Sequence, residues 1–168
     1  INGGTARFYI GHKGNHTVNG SVERLYQDEL SGKYDSLDTW RSFSNRVKTI
    51  GGQIKDYILN YAKNGMSTAI YGASTRGNTL LQYYGLDHKL LPYAIDRDEH
   101  KHGKYMVGTK IPIISEEEGI KRHPNSLLVL PYSYITEIQD RLFNKMDFDG
   151  TLIVPLQQPK LLRKSSNK

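Results

Sequence analysis

Cysteine is absent from the 168 residues. That excludes disulfide scaffolds, thiolate metal sites and a cysteine nucleophile within this chain, and it suits a reducing cytoplasm, the location expected. Long apolar runs are missing as well. None approaches the ~20 residues a helix needs to cross a bilayer, so no membrane association is expected. No basic, apolar and small-residue succession opens the chain, so no signal peptide is read. Acidic residues are outnumbered, with Asp+Glu at 17 against Lys+Arg at 23, which leaves a net charge of +6. An excess of that sign points to anionic partners, either phosphorylated small molecules or nucleic acid. Nucleic acid is disfavoured, because the sequence has no basic stripe interleaved with aromatics. Lys160, Arg163, Lys164 and Lys168 gather instead in a polar end with Ser165, Ser166 and Asn167.

The remainder, 37% hydrophobic and 24% charged, is enough for one ordinary domain with an appendage. The organising stretch is Thr68-Ala-Ile-Tyr-Gly-Ala-Ser-Thr-Arg-Gly-Asn-Thr-Leu-Leu. It starts as a strand, turns between Gly72 and Gly77, and continues as a helix. Such a succession makes an anion cradle, because backbone N–H groups and the positive end of the helix dipole face the turn. Gly72 and Ala73 would form the tight turn, and Gly77 would let backbone or ligand approach closely. Ser74, Thr75 and Asn78 add short donors, and Arg76 adds a guanidinium suited to phosphate. The pattern is neither a complete G-x-G-x-x-G nor a P-loop. A second strand, 90–95, runs into Asp96, placed where an acid holds a ribose hydroxyl in dinucleotide-binding folds. Simple chain reversal and turn capping explain the same residues without a ligand.

In chain order, residues 1–20 read as the remnant of an upstream domain and a linker, with a strand-like run from Ala6 to Ile10. Residues 21–65 read as a helical connector. Ser21 caps a short helix that Gly32 stops, and Ser36 caps a longer one. The longer helix carries a seam of Trp40, Phe43, Val47, Ile50, Ile54, Tyr57 and Tyr61. Gly51 and Gly52 favour a bend or break within it, and Asn64-Gly65 ends it. Residues 66–160 alternate strand and helix. Strands fall at 67–71, 90–95, 126–130 and 151–155, and helices at 77–85, 115–122 and 133–146. The fold class is therefore α/β, a Rossmann-like open parallel sheet with flanking helices. Residues 161–168 read as a disordered basic tail. The connection after Asp96 is long enough to be functional, and Arg97, Lys101 and Lys104 place charge there. His100 and His102 in this loop lack a convincing third metal ligand, so no metal site is assigned. Tyr132, beyond the third sheet strand, would face a base or sugar at the carboxyl edge of the sheet.

Several segments resemble the C-terminal domain of bacterial SAM-dependent sugar C-methyltransferases. They are Tyr71-Gly-Ala-Ser-Thr-Arg-Gly-Asn-Thr-Leu-Leu, Ile95-Asp-Arg-Asp-Glu-His-Lys-His-Gly, Gly108-Thr-Lys-Ile-Pro-Ile and Leu152-Ile-Val-Pro-Leu. The opening Gly3-Gly-Thr-Ala-Arg-Phe-Tyr-Ile is similar to the place where that family's catalytic domain ends. One departure is Asp98-Glu99, where the family often has Asn-Pro. The resemblance implies a domain that holds a nucleotide-linked keto-deoxysugar, with dTDP as a typical nucleotide. Gly72, Ser74, Arg76, Gly77 and Asn78 would form the nucleotide-facing turn, with Asp96 and the loop 101–104 nearby. It further implies SAM and a structural zinc in upstream parent domains, no cofactor in this chain, no catalytic residue here, and a partner in the upstream methyltransferase domain. Alone, the chain is expected to be catalytically silent. From the residues themselves a free-standing nucleotide or CoA-binding module stays open. A nicotinamide oxidoreductase is disfavoured by the missing close-set glycine pair.

Overall fold

The computed structural model describes residues 5–164. The chain divides into two compact units, Ile1–Val47 and Lys48–Lys168.

The described part of the first unit is helical. Residues 5–12 form no strand, and Phe8, Tyr9 and Ile10 are strongly exposed. The strand expected from Ala6 to Ile10 is thus absent, since apolar alternation alone supplies no ladder partner. Helix α1 spans Gly20–Ser31 and buries no residue. Its cap is Asn19, whose side chain accepts the Ser21 N–H at 3.0 Å, so Ser21 lies inside the first turn that it was expected to cap. Gly32 closes the helix as expected. Helix α2 runs over Leu37–Lys63. In its first half Trp40 and Phe43 meet edge to face, 6.0 Å between centroids, and stay about half exposed.

The second unit contains the rest of α2 and the sheet. Gly51, Ile54 and Ile58 are the buried residues of α2, and Ile50 and Tyr57 of the expected seam pack against the same core, partly buried. No break occurs at Gly51-Gly52. A Cβ at Gly51 would stand 2.3 Å from Tyr84 Cδ1, whereas one at Gly52 would meet nothing. Close approach of an aromatic ring is therefore the reason for the first glycine, and the helix continues through both. Gly51→Ala is expected to lower stability by about 1–3 kcal/mol through overpacking. Gly52→Ala should raise it by about 0.5–1 kcal/mol through helix propensity. Urea denaturation of the two variants tests this opposition of sign.

The sheet is built from β1 (Thr68–Tyr71), β2 (Ala94–Ile95), β3 (Ile113–Ile114), β4 (Ser126–Val129), β5 (Thr151–Val154) and β6 (Lys160–Leu162). Their order is β3-β2-β1-β4-β5-β6, parallel except for the β5–β6 pair. This is the expected Rossmann-like open sheet. Helices α3 (Thr75–Tyr84), α4 (Glu116–Lys121) and α5 (Ile135–Asp140) lie in the connections, and α5 continues as a π-helical turn over Arg141–Lys145. Strand parity separates two cores. Ile70, Leu128 and Ile153 join Ile54, Ile58 and Leu81 in one cluster. Ala69, Tyr71, Leu127, Val129 and Leu152 join Ile138, Leu142 and Phe143 in the other. Alternate residues of a strand point to opposite faces, and strands covered on both sides carry near-continuous apolar runs, preceded here by buried Thr68 and Ser126, whose hydroxyls hydrogen-bond each other.

Three expectations shift. The second strand begins at Ala94 rather than at 90, because the Leu90 and Leu91 N–H groups turn back onto the Asp87 carbonyl and Pro92 can donate no ladder bond. β3 lies just after Pro112, which masks it in the sequence. β6 takes up residues 161 and 162 of the tail expected to be disordered; 165–168 lie outside the described residues. The loop after Asp96, expected to be functional, is in part structural. Its distal half folds back through a Tyr105–Pro112 bridge and buries Met106 and Ile111 in the first core cluster. No helix among the described residues is long and apolar enough to cross a membrane.

Candidate ligand cleft

Strand β1 leads to β2 on one side and lies beside β4 on the other, so the connections diverge at the carboxyl ends of β1 and β4. Open α/β sheets bind their ligands at such a divergence. A cleft of ≈ 430 Å³ lies here, with Gly72 and Pro131 at those strand ends.

Gly72 takes φ 89°, and an added Cβ would come 2.5 Å from the Pro131 ring. Its N–H donates to the Ile95 carbonyl at 2.7 Å. Ser74 caps α3, with Oγ accepting the Gly77 N–H at 3.1 Å. Gly77 is buried, and a Cβ there would be 2.6 Å from Leu130. Both glycines are therefore required by close chain packing.

Asp96 ties this turn to the next strand. Its carboxylate accepts the Ala73 N–H at 2.8 Å, the Asp98 N–H at 2.9 Å and Lys101 Nζ at 3.0 Å. Burial pushes the acid's pKa up, but the Asp98 N–H, Lys101 and the Ala73 N–H together hold it below the usual carboxylate range. His102 Nε2 donates to the Asp96 carbonyl at 2.8 Å, which gives that histidine a bracing role. Among the described residues no group of His, Cys, Asp and Glu is arranged to hold a metal ion.

Further lining comes from α5 and the π-helical turn that follows it, through Glu137, Ile138 and Arg141, and Glu116 of α4 backs that part of the cleft through its contacts with Tyr71 and Arg141. Glu116 is nearly buried and receives the Tyr71 O–H at 2.5 Å. Arg141 grips the same carboxylate through Nε, 2.9 Å from both oxygens, and through Nη2. Burial, then the Glu116 contact, pushes the Tyr71 phenol far up. Burial works against the charged Glu116, but Arg141 and Tyr71 outweigh it and hold that acid low. Both depressed acids, Asp96 and Glu116, contribute stability that is complete above their unfolded values, about 3.9 and 4.3, and lost as pH falls through the folded ones. The melting temperature should hold down to about pH 5 and drop below about pH 4, with a shallower drop in Glu116→Gln. Thermal melts across that range test the sign.

The chain matches the model of the C-methyltransferase C-terminal domain over residues 1–157. It is also 30% identical over 151 residues to C-methyltransferase NovU of Streptomyces niveus, a match covering 90% of this chain and 36% of that protein. The chain belongs to the C-methyltransferase C-terminal domain family. It spans little more than a third of that relative's length.

In this C-methyltransferase C-terminal domain the residues expected at the site divide. Gly72, Ser74, Asp96, Arg97 and Lys101 line the cleft, and Ala73 adjoins it through its N–H to Asp96. Thr75, Arg76, Gly77, Asn78, Lys104 and Tyr132 lie outside its lining. Thr75, Arg76 and Lys104 are exposed, and Asn78 keeps Oδ1 buried with no hydrogen-bond partner. The sequence reading missed Tyr71, Asp98, Tyr134, Glu137 and Arg141, all of which line the cleft. Only Tyr71 left a signal, as a polar tip ending an apolar strand beside the glycine turn. Arg141 is one of many charges in its segment, and its partner Glu116 opens a helix where acids are ordinary.

Proposed function

We propose that this domain holds a nucleotide-linked keto-deoxysugar for a SAM-dependent C-methyltransferase, seating the nucleotide diphosphate in the cleft between β1 and β4. The observation that carries the reading is the charge arrangement in the lining. Arg97 and Lys101 offer cations, while Asp96, Asp98 and Glu137 offer carboxylates. Lys101 is paired with Asp96 at 3.0 Å, whereas Arg97 makes no hydrogen bond or ion pair within the described residues. A lone guanidinium suits a diphosphate, and carboxylates beside it suit sugar or ribose hydroxyls. A nucleotide sugar presents both kinds of group. The volume falls within the ~300–1,000 Å³ usual for small-ligand sites.

SAM and zinc belong, on this reading, to other parts of the parent protein. SAM carries no phosphate, so a cleft read as a diphosphate seat leaves its binding to other parts of the protein. Structural zinc of this kind is held by thiolates, and the chain contains no cysteine. The role of the domain in methyl transfer is then to orient the substrate and exclude water, in the company of the upstream methyltransferase domain.

Calorimetric titration with dTDP, UDP, NAD and CoA tests the proposal. Binding of a nucleoside diphosphate without an NAD response is expected, and Arg97→Ala should weaken it about tenfold, the effect of one charge-assisted contact. Preferential CoA binding, or no nucleotide binding, would remove it.

A further inference from the structure

We infer that Arg141, held in place by Glu116, is a second anion-gripping residue, so that the diphosphate lies on the α5 side of β1 rather than at the start of α3. The inference rests on the nucleotide-sugar reading and locates the anion within it.

The guanidinium has five N–H donors. Nε and Nη2 are directed at Glu116, the Tyr71 hydroxyl also bears on the guanidinium, and no hydrogen bond from Nη1 occurs among the described residues. The side chain is 38% exposed, against 10% for Glu116, so the pair is anchored on its inner side and open on its outer one. Arg141 is one of the residues that line the cleft. A guanidinium fixed by a buried carboxylate presents its remaining fork in one orientation and loses little rotamer freedom when a phosphate arrives. Arg97 lines the same cleft, and its charge acts on both Glu116 and Tyr71. Two guanidiniums thus line one cleft beside Asp96, Asp98 and Glu137, Arg97 without an ion-pair partner among the described residues and Arg141 with its outer fork unused.

The backbone at Arg141 supports the assignment. The residue opens the π-helical turn that extends α5, and such turns occur often at functional sites because they redirect a side chain. The first turn of α3 is a weaker seat. Ala73 N–H is taken by Asp96, Gly77 N–H by Ser74 Oγ and Asn78 N–H by the Ser74 carbonyl. Arg76 is exposed and is not among the residues that line the cleft. Glu137 also lines the cleft, one turn before Arg141, and repels an anion, which makes its removal informative.

The test is titration of the whole chain with dTDP and with thymidine, monitored beside thermal unfolding. Arg141→Gln should weaken dTDP binding at least tenfold while leaving thymidine binding unchanged. The paired variant Glu116→Gln with Arg141→Gln, which leaves no buried charge unpartnered, should show the same loss with milder destabilisation. Glu137→Gln should tighten dTDP binding severalfold, and Arg76→Ala should not alter it. If Arg97→Ala weakens dTDP binding while folded Arg141→Gln binds as the unaltered chain does, the residue is only a structural tie and the inference is overturned. If the unaltered chain binds no dTDP, the underlying nucleotide reading fails first.

Discussion

Gly72→Ala is expected to destabilise the second unit by about 2–5 kcal/mol, and urea denaturation should show a lower midpoint at unchanged slope. Two effects add. The native φ of 89° lies where an L-residue is strained, which costs about 1–2 kcal/mol. The new methyl group would also stand 2.5 Å from Pro131 Cδ and Cγ, and a pyrrolidine ring cannot swing aside as a flexible side chain can. Gly65→Ala separates the terms. Gly65 has φ 70°, and a methyl group added there would meet nothing within 4 Å, so it should show the conformational cost alone. Equal losses in the two variants would mean that the proline contact is not tight. Pro131 and Gly72 both line the cleft, so on the proposed nucleotide-sugar reading Gly72→Ala should reduce dTDP affinity together with stability.

The second large effect is expected at Glu116. Removing one partner of a buried ion pair leaves the other uncompensated, typically a loss of about 3–5 kcal/mol. Arg141 is 38% exposed, so solvent takes up part of that cost and Glu116→Ala is expected to lose about 2–4 kcal/mol. Tyr71→Phe removes only one hydrogen bond to the carboxylate and should lose about 1–2 kcal/mol. A double-mutant cycle over Glu116 and Arg141 should give a coupling energy above about 1 kcal/mol. Additive losses would show that the two side chains act separately.

Much of the sheet could be read from local pattern. Residues 69–71, 127–129 and 152–154 announce themselves because strands covered on both faces carry near-continuous apolar runs. β3 could not be read this way, since two residues beside a proline carry no period, and their place is decided by pairing with β2. β6 was hidden by its composition. Lys160 and Leu161 are exposed at the sheet margin, where an edge strand can be basic and still pair with β5. At the cleft, the glycine turn and Asp96 were legible because their spacing is local. The Tyr71–Glu116–Arg141 cluster was not, because its members come from β1, α4 and the end of α5 and meet only through the crossovers. The glycines were legible as special backbone positions, but what approaches them could not be read. Leu130, Pro131 and Tyr84 arrive from distant segments.

The ties made by Asp96 bear on how fast a nucleotide would be captured. Its carboxylate already fastens the turn after β1 and the Lys101 side chain, and His102 braces its carbonyl. On the proposed nucleotide reading, this wall stands before any encounter and its polar contacts are preformed. Capture would then follow simple collision kinetics, with an association rate in the ordinary ~10⁵–10⁷ M⁻¹s⁻¹ range, and discrimination between nucleotides would reside in how long each one stays.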